Sequence, residues 1–431
     1  MGARGNGSDL DTPVFQQAID KLAEQGGGRI HVPAGKYVIG TIKLKSGVEL
    51  YLDDGAELLG SLSLQDYARD IEGAVEAPEF NPCLIYAEQA DNLSLCGPGC
   101  VDGRGTREHF PPGSRGQKLL RPMLIRFVRC RNVRFEDVTL RDAGAWCTHL
   151  VECDDVTIRG VTIRSRVNVN NDGFDLDGCA NVLIENCDLQ TGDDAICPKS
   201  TTLKMCENIR VRNCRISSNT AAFKCGTSSR GGFHNIRFSH CQIHHSRMGV
   251  IKLLIVDGGT MENVEISDLE MVDVEGPIFI RLGNRGRPYD VPMTQIQHAN
   301  AAHEGVPPGR LRNIHIHDID AMVTSDDRSR WGIMITGIPG HCVEDIRLEN
   351  VKISFPGGGT VEEAKRVVPE DETRYPEQFF FGVLPSWGAY LRHIRGIRFH
   401  NVHLTTRQPD ARERLCLVDV EDFTEENPQQ P

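Results

Sequence analysis

Along most of the chain apolar and polar residues alternate in short runs, as in Val182-Leu183-Ile184-Glu185-Asn186-Cys187-Asp188-Leu189, while runs with helical periodicity are scarce. A period of two turns one face of an extended segment toward a core and the other toward solvent, so each run predicts a short strand. The runs carry a recurring phrase: Cys130-Arg131-Asn132-Val133, Cys153-Asp154-Asp155-Val156, Cys179-Ala180-Asn181-Val182, Cys206-Glu207-Asn208-Ile209 and Phe233-His234-Asn235-Ile236. Its third member falls at 132, 155, 181, 208 and 235, with separations of 23, 26, 27 and 27 residues. Looser copies follow at Asn263-Val264, Asn313-Ile314 and Asp345-Ile346.

A repeat of this size marks a solenoid. Roughly two dozen residues suffice for three strands and three bends, and such a coil buries its apolar face only by stacking on the next copy. The expected fold is all-β, a single-stranded right-handed parallel β-helix. Leucine-rich repeats, the rival at this spacing, are disfavoured because no copy has their Leu-dense consensus or a helical half. One helix is expected near the start, as a cap over the open end of the solenoid. Asp11 or Thr12 would cap it, Pro13 would occupy its first turn, Phe15, Ala18, Ile19 and Leu22 would form its apolar stripe, and Gly26-Gly27-Gly28 would end it. The whole chain, 1–431, reads as one catalytic domain with an N-terminal cap over about residues 1–60 and loop insertions at about 284–310 and 355–390. The second insertion carries several aromatic residues, suited either to stacking on sugar faces or to plugging the solenoid.

Composition narrows the partners. With 48 Lys plus Arg against 60 Asp plus Glu, the net charge of −12 lacks the basic footprint that nucleic acid or an anionic membrane requires. No apolar run is long enough to span a bilayer. The chain as given opens without a secretory signal, which leaves the location open: secreted or periplasmic if a signal was removed, otherwise cytoplasmic. Its 15 Cys are an odd number without a CxxC pair, and those of the repeat phrase fit an interior stack of thiols better than disulfides or zinc. No metal and no cofactor is expected, and the chain reads as a monomer or weak oligomer.

The densest polar feature is Asn170-Asn171-Asp172-Gly173-Phe174-Asp175, followed by Thr191-Gly192-Asp193-Asp194-Ala195. Asp172 and Asp194 are 22 residues apart, close to one coil, so stacking brings Asp172, Asp193 and Asp194 onto one small surface. Crowded carboxylates raise at least one pKa, leaving a proton donor beside ionised acceptors, the pair that glycoside hydrolysis needs. Solvated turn carboxylates or a calcium site are the alternatives. Lys224 and Lys252 follow at intervals of 30 and 28 residues, with Arg281, Arg285 and Arg287 after them. On coils of constant length these cations would continue the same groove and meet a substrate carboxylate or sulfate, or else pair with the aspartates.

These residues resemble glycoside hydrolase family 28, the polygalacturonase-like, pectin-degrading hydrolases. The resemblance runs from Gly2-Ala3-Arg4-Gly5-Asn6-Gly7 through Gly26-Gly27-Gly28, Trp146 and the acidic cluster to Tyr375-Pro376-Glu377 and Gly388-Ala389-Tyr390-Leu391-Arg392-His393. The family's Asn-Thr-Asp motif matches Asn170-Asn171-Asp172, and its Asp-Asp motif matches Asp193-Asp194. It implies an inverting reaction on a pectic or otherwise acidic glycan containing galacturonate or rhamnose, with Asp193 as general acid and Asp172 and Asp194 as general base. The implied carboxylate separation is about 6.5–9.5 Å. Asn170, Lys224, Lys252 and Arg281 are the expected substrate-binding residues. Where the family has Gly-His-Gly, this chain has Ala221-Ala222-Phe223-Lys224, and of Arg-Ile-Lys only Lys252 matches in Val250-Ile251-Lys252. Two other classes remain open: a polysaccharide lyase acting on uronate polymers, and a non-catalytic carbohydrate-binding β-helix.

Overall fold

The computed structural model describes residues 2–73, 77–113, 119–287, 306–325 and 327–427. Contacts divide the chain into two compact units, Met1–Cys197 and Pro198–Pro431.

In the first unit the alternating runs form three columns of parallel strands. One column stacks Cys83–Glu88, Met123–Val128, Thr148–Val151 and Phe174–Asp177. A second stacks Asp91–Cys96, Arg131–Glu136, Asp154–Arg159 and Ala180–Glu185, and a third Cys100–Asp102, Thr139–Arg141, Thr162–Ser165 and Asp188–Thr191. In-register pairing places like positions above one another. Val133, Val156 and Val182 form one buried row, and Phe135, Ile158 and Ile184 the next.

The phrase that marks each coil has a backbone cause. Its third residue is left-handed in every copy, with φ of 53° at Asn132, 57° at Asp155, 55° at Asn181, 55° at Asn208 and 54° at Asn235. Asn and Asp tolerate that region where bulkier L-residues do not, so each copy bends at an Asn or Asp. The Cys that opens the phrase points inward: Cys130, Cys153, Cys179 and Cys206 are buried, and all 15 cysteines are thiols.

The expected cap is the helix Thr12–Glu24, which buries Phe15, Ala18 and Ile19, with Phe15 edge-on to Tyr37 at 5.6 Å. Its capping differs from the expectation. Asp11 sits at the N-cap, but its carboxylate accepts the backbone N–H groups of Arg4 and Gly5 at 2.8 and 3.2 Å and makes no bond into the helix.

The second unit continues the parallel pattern with longer strands. Gly232–Ser246, Thr260–Val274, Arg310–Val323, Val343–Phe355, Ser386–Thr406 and Glu413–Glu426 pair in that order, each bent at left-handed Asn, Asp or His residues. Beside them stack Phe223–Cys225, Ile251–Ile255, Ile278–Leu282 and Ile333–Thr336. Residues 288–305 of the first expected insertion lie outside the described residues. Between 356 and 385 the second insertion has no strand and carries only the short helix Val361–Ala364 and the 3-10 turn Gln378–Phe381, while Trp387 belongs to the strand Ser386–Thr406. Val368, Phe381 and Leu384 bury against Leu254, Phe279, Met334 and Tyr390, so this part of the loop is an apolar plug. No helix among the described residues is long and apolar enough to cross a membrane.

Candidate active site

Two neighbouring turns of the first unit carry the aspartates. Asn171, fully buried, donates its side-chain amide to the carbonyls of Ala143 and Ala145 at 2.8 and 2.9 Å and accepts from the Asn168 N–H at 2.7 Å, which fixes the turn holding Asp172. Gly173 follows because a Cβ there would lie 2.3 Å from the Ala195 carbonyl oxygen. That close approach is a rung contact: Gly173 N–H donates to the Asp194 carbonyl at 2.9 Å and Phe174 N–H to that of Ala195 at 3.0 Å. In the second turn Asp193 N–H donates to the Asn171 carbonyl at 3.2 Å, and Asp194 N–H to Oδ1 of Asp193 at 3.0 Å.

The result is that Asp172, Asp193 and Asp194 each bring a carboxylate oxygen within 4.8 Å of the others, Asp172 and Asp194 buried and Asp193 half-buried. This distance runs between single oxygens, whereas the separation of about 6.5–9.5 Å that the resemblance implies runs between whole carboxyl groups. Two of the residues are chain neighbours and the third sits one rung away, where backbone spacing is about 4.8 Å. The same three carboxylates are close enough to hold a metal ion between them, which keeps the cation-site alternative beside the catalytic one.

The cluster is electronegative. The Cys147 thiol is pushed up to about 12 by burial, opposed by a hydrogen bond with Ser165 and reinforced by Asp172 and Asp175. One cation answers it that the sequence reading missed. Arg121, buried, donates to Oδ1 of Asn170 at 2.8 Å, and Nδ2 of Asn170 approaches Oδ2 of Asp193 at 3.4 Å. No motif surrounds Arg121; its only signal was a basic residue between Leu120 and Pro122. Asn170, expected at the substrate, thus has its amide directed at Asp193.

The other expected cations lie in the second unit. Lys252 and Lys224 are both buried and turn toward one carboxylate, with Nζ of Lys252 at 2.6 Å and Nζ of Lys224 at 3.9 Å from Glu377. The anion they were expected to meet in a substrate is supplied here by the protein. Arg281, at 1 % exposure, donates from its two terminal nitrogens to Thr336 Oγ1 and to the carbonyls of Gly337, Glu370 and Asp371, and so holds the 356–385 loop. Burial lowers its pKa to about 10, with Arg392 adding to the effect and nearby carboxylates opposing it. Arg285 is likewise engaged, bidentate to Asp257 at 2.9 and 2.5 Å.

Compared with known proteins, the chain matches the sequence model of glycosyl hydrolases family 28 over residues 24–371, well over half of its length. The chain belongs to that family. It is 31% identical over 215 residues to a probable polygalacturonase of Vitis vinifera, a match covering 46% of this chain and 43% of that protein. The chain thus spans less than half the length of that relative. An exopolygalacturonase structure from Thermotoga maritima superposes with a TM-score of 0.66 at 25% identity, covering 82% of this chain and 85% of that one. A family 28 exopolygalacturonase from Yersinia enterocolitica gives a TM-score of 0.72 at 18% identity, covering 100% of this chain and 77% of that one. These likenesses establish the right-handed parallel β-helix for this family 28 chain.

Proposed function

We propose that the protein is an inverting glycoside hydrolase acting on galacturonate-containing pectic polymers or oligosaccharides, rhamnose-linked ones included. The observation that carries this reading is the gathering of three carboxylate oxygens within 4.8 Å on consecutive rungs, in a chain of this family. Mutual repulsion keeps one carboxyl protonated while the others stay ionised. In the proposed reaction Asp193 donates its proton to the glycosidic oxygen as the C–O bond breaks through an oxocarbenium-like state. Asp172 and Asp194 take a proton from the water whose oxygen forms the new bond to the anomeric carbon. The names of the Vitis and Thermotoga relatives support galacturonate as the sugar.

The test is incubation with a panel of pectic oligosaccharides, counting new reducing ends, beside the Asp193→Asn variant. Turnover that falls at least about 100-fold in the variant with binding retained is expected. An unsaturated, ultraviolet-absorbing product would make the protein a lyase, and binding without new reducing ends would make it a non-catalytic module.

A further inference from the structure

We infer that Arg121 is a positioning residue for Asp193, acting through the side-chain amide of Asn170; the inference rests on the hydrolase reading above. Arg121 is 4 % exposed, in a position where burying a cation is costly unless its donors are used. One terminal nitrogen of its guanidinium donates to the carbonyls of Gly144 and Val169 at 3.2 and 2.6 Å and the other to Oδ1 of Asn170 at 2.8 Å, while Nε is buried without a hydrogen bond and the carbon lies 4.7 Å from the centre of the Phe80 ring.

A guanidinium has donors only, so the atom of Asn170 that faces it must be the amide oxygen. The amide nitrogen is then directed away from Arg121, and it points at Oδ2 of Asp193 at 3.4 Å. Oδ1 of Asp193 already accepts the Asp194 N–H at 3.0 Å. Both oxygens thus face N–H donors, and the rotamer of the acid is set from two sides. Were the Asn170 amide reversed, its oxygen would confront the carboxylate and push Asp193 off that position. Arg121 removes this alternative.

Burial lowers the Arg121 pKa, while Glu79, Asp172 and Asp193 oppose that effect and Arg107 adds to it. By reciprocity the guanidinium favours the ionised state of Asp172 and Asp193, which suits a base but opposes the proton-donor form of Asp193, so what Arg121 contributes to the acid is its position and not its charge.

Arg121 also ties backbone carbonyls together, so the test must separate support of the turns from action through Asn170. Wild type, Arg121→Gln, Asn170→Ala and the double variant are assayed for kcat and KM on an oligosaccharide that the wild type cleaves. Each single change is expected to lower kcat about 10–100-fold with KM within about twofold. The double variant should be no slower than the slower single one, because the two residues act in series. Losses that multiply in the double variant, or that fall on KM alone, overturn the inference. Should Arg121→Gln fail to fold, Arg121→Lys takes its place, with a kcat loss that Asn170→Ala does not deepen. A wild type that cleaves nothing would sink the hydrolase reading alone. The relay is then decided by crystal structures of the wild type and the Arg121 variant, in which the Asn170 amide should turn away from Asp193; an unmoved amide overturns it.

Discussion

Nζ of Lys252 lies 2.6 Å from Oε2 of Glu377, although 125 residues separate them in the chain. The lysine is on the strand Ile251–Ile255 and the glutamate in the loop between 356 and 385, so the pair fastens that loop to a coil. With side-chain exposures of 1% and 8%, neither charge has water to replace a lost partner. Glu377→Gln is therefore expected to destabilise by about 3–5 kcal/mol, read as a shift in the urea midpoint. Replacing both residues with Met should recover only part of the loss, since Lys224, 3.9 Å from Glu377, loses the same carboxylate. A single-variant effect below about 1 kcal/mol would show that water reaches the pair.

What was legible in the sequence was what is local. The bends at Asn132, Asn181 and Asn235 announce themselves because a left-handed residue restricts the amino acid at that position. The three aspartates were legible because two are neighbours and the third is one coil away, so counting residues places them. Lys252 and Glu377, or Arg281 and the carbonyls of Glu370 and Asp371, meet through a loop without periodicity, and no count of coil lengths brings them together. The Arg121 contact to Asn170 joins residues 49 apart in sequence from two irregular turns. Asp11 was misread for a related reason. Its type and place fit an N-cap, but the amides of Arg4 and Gly5 compete for its carboxylate.

The spacing of the aspartates makes the stereochemical outcome a sharp test. Separations of about 5–5.5 Å usually accompany retention and about 6.5–9.5 Å inversion, whereas here the nearest oxygens lie within 4.8 Å. Nearest-oxygen distance alone would favour retention. With three carboxylates, however, two can hold a water between them while the third supplies the proton, and none need attack carbon. The first product seen by proton NMR is expected to carry the inverted anomeric configuration. A retained anomer would reassign one of the three as nucleophile.

Bend chemistry can be tested at Asn235, whose φ is 54° and whose Nδ2 donates to Oδ1 of Asn208 at 2.6 Å. Alanine loses that bond and also pays the left-handed penalty of about 1–2 kcal/mol, while glycine loses the bond alone. Asn235→Ala is thus expected to lower stability by about 1.5–3.5 kcal/mol, bond and penalty together, and Asn235→Gly by about 0.5–1.5 kcal/mol. Equal losses in thermal melts of the two variants would mean that the backbone conformation is not what selects Asn there.

Asp273 gives a prediction in pH. Burial raises its pKa, but hydrogen bonds from Arg247, Thr324 and His245 outweigh that and hold it at about 2, below the ordinary 3.8. Because the folded value is the lower one, the unfolded chain takes up its proton first as the medium is acidified. The stabilisation is therefore complete above about pH 4 and is lost as pH falls through about 2. The side chain is 42% exposed, so screening limits the effect to about 1 kcal/mol or less. Asp273→Asn should melt slightly below the wild type at neutral pH, with the difference shrinking between pH 4 and 2. A difference that stays constant across that range would assign the effect to packing around Arg247 and Thr324 and not to the charge.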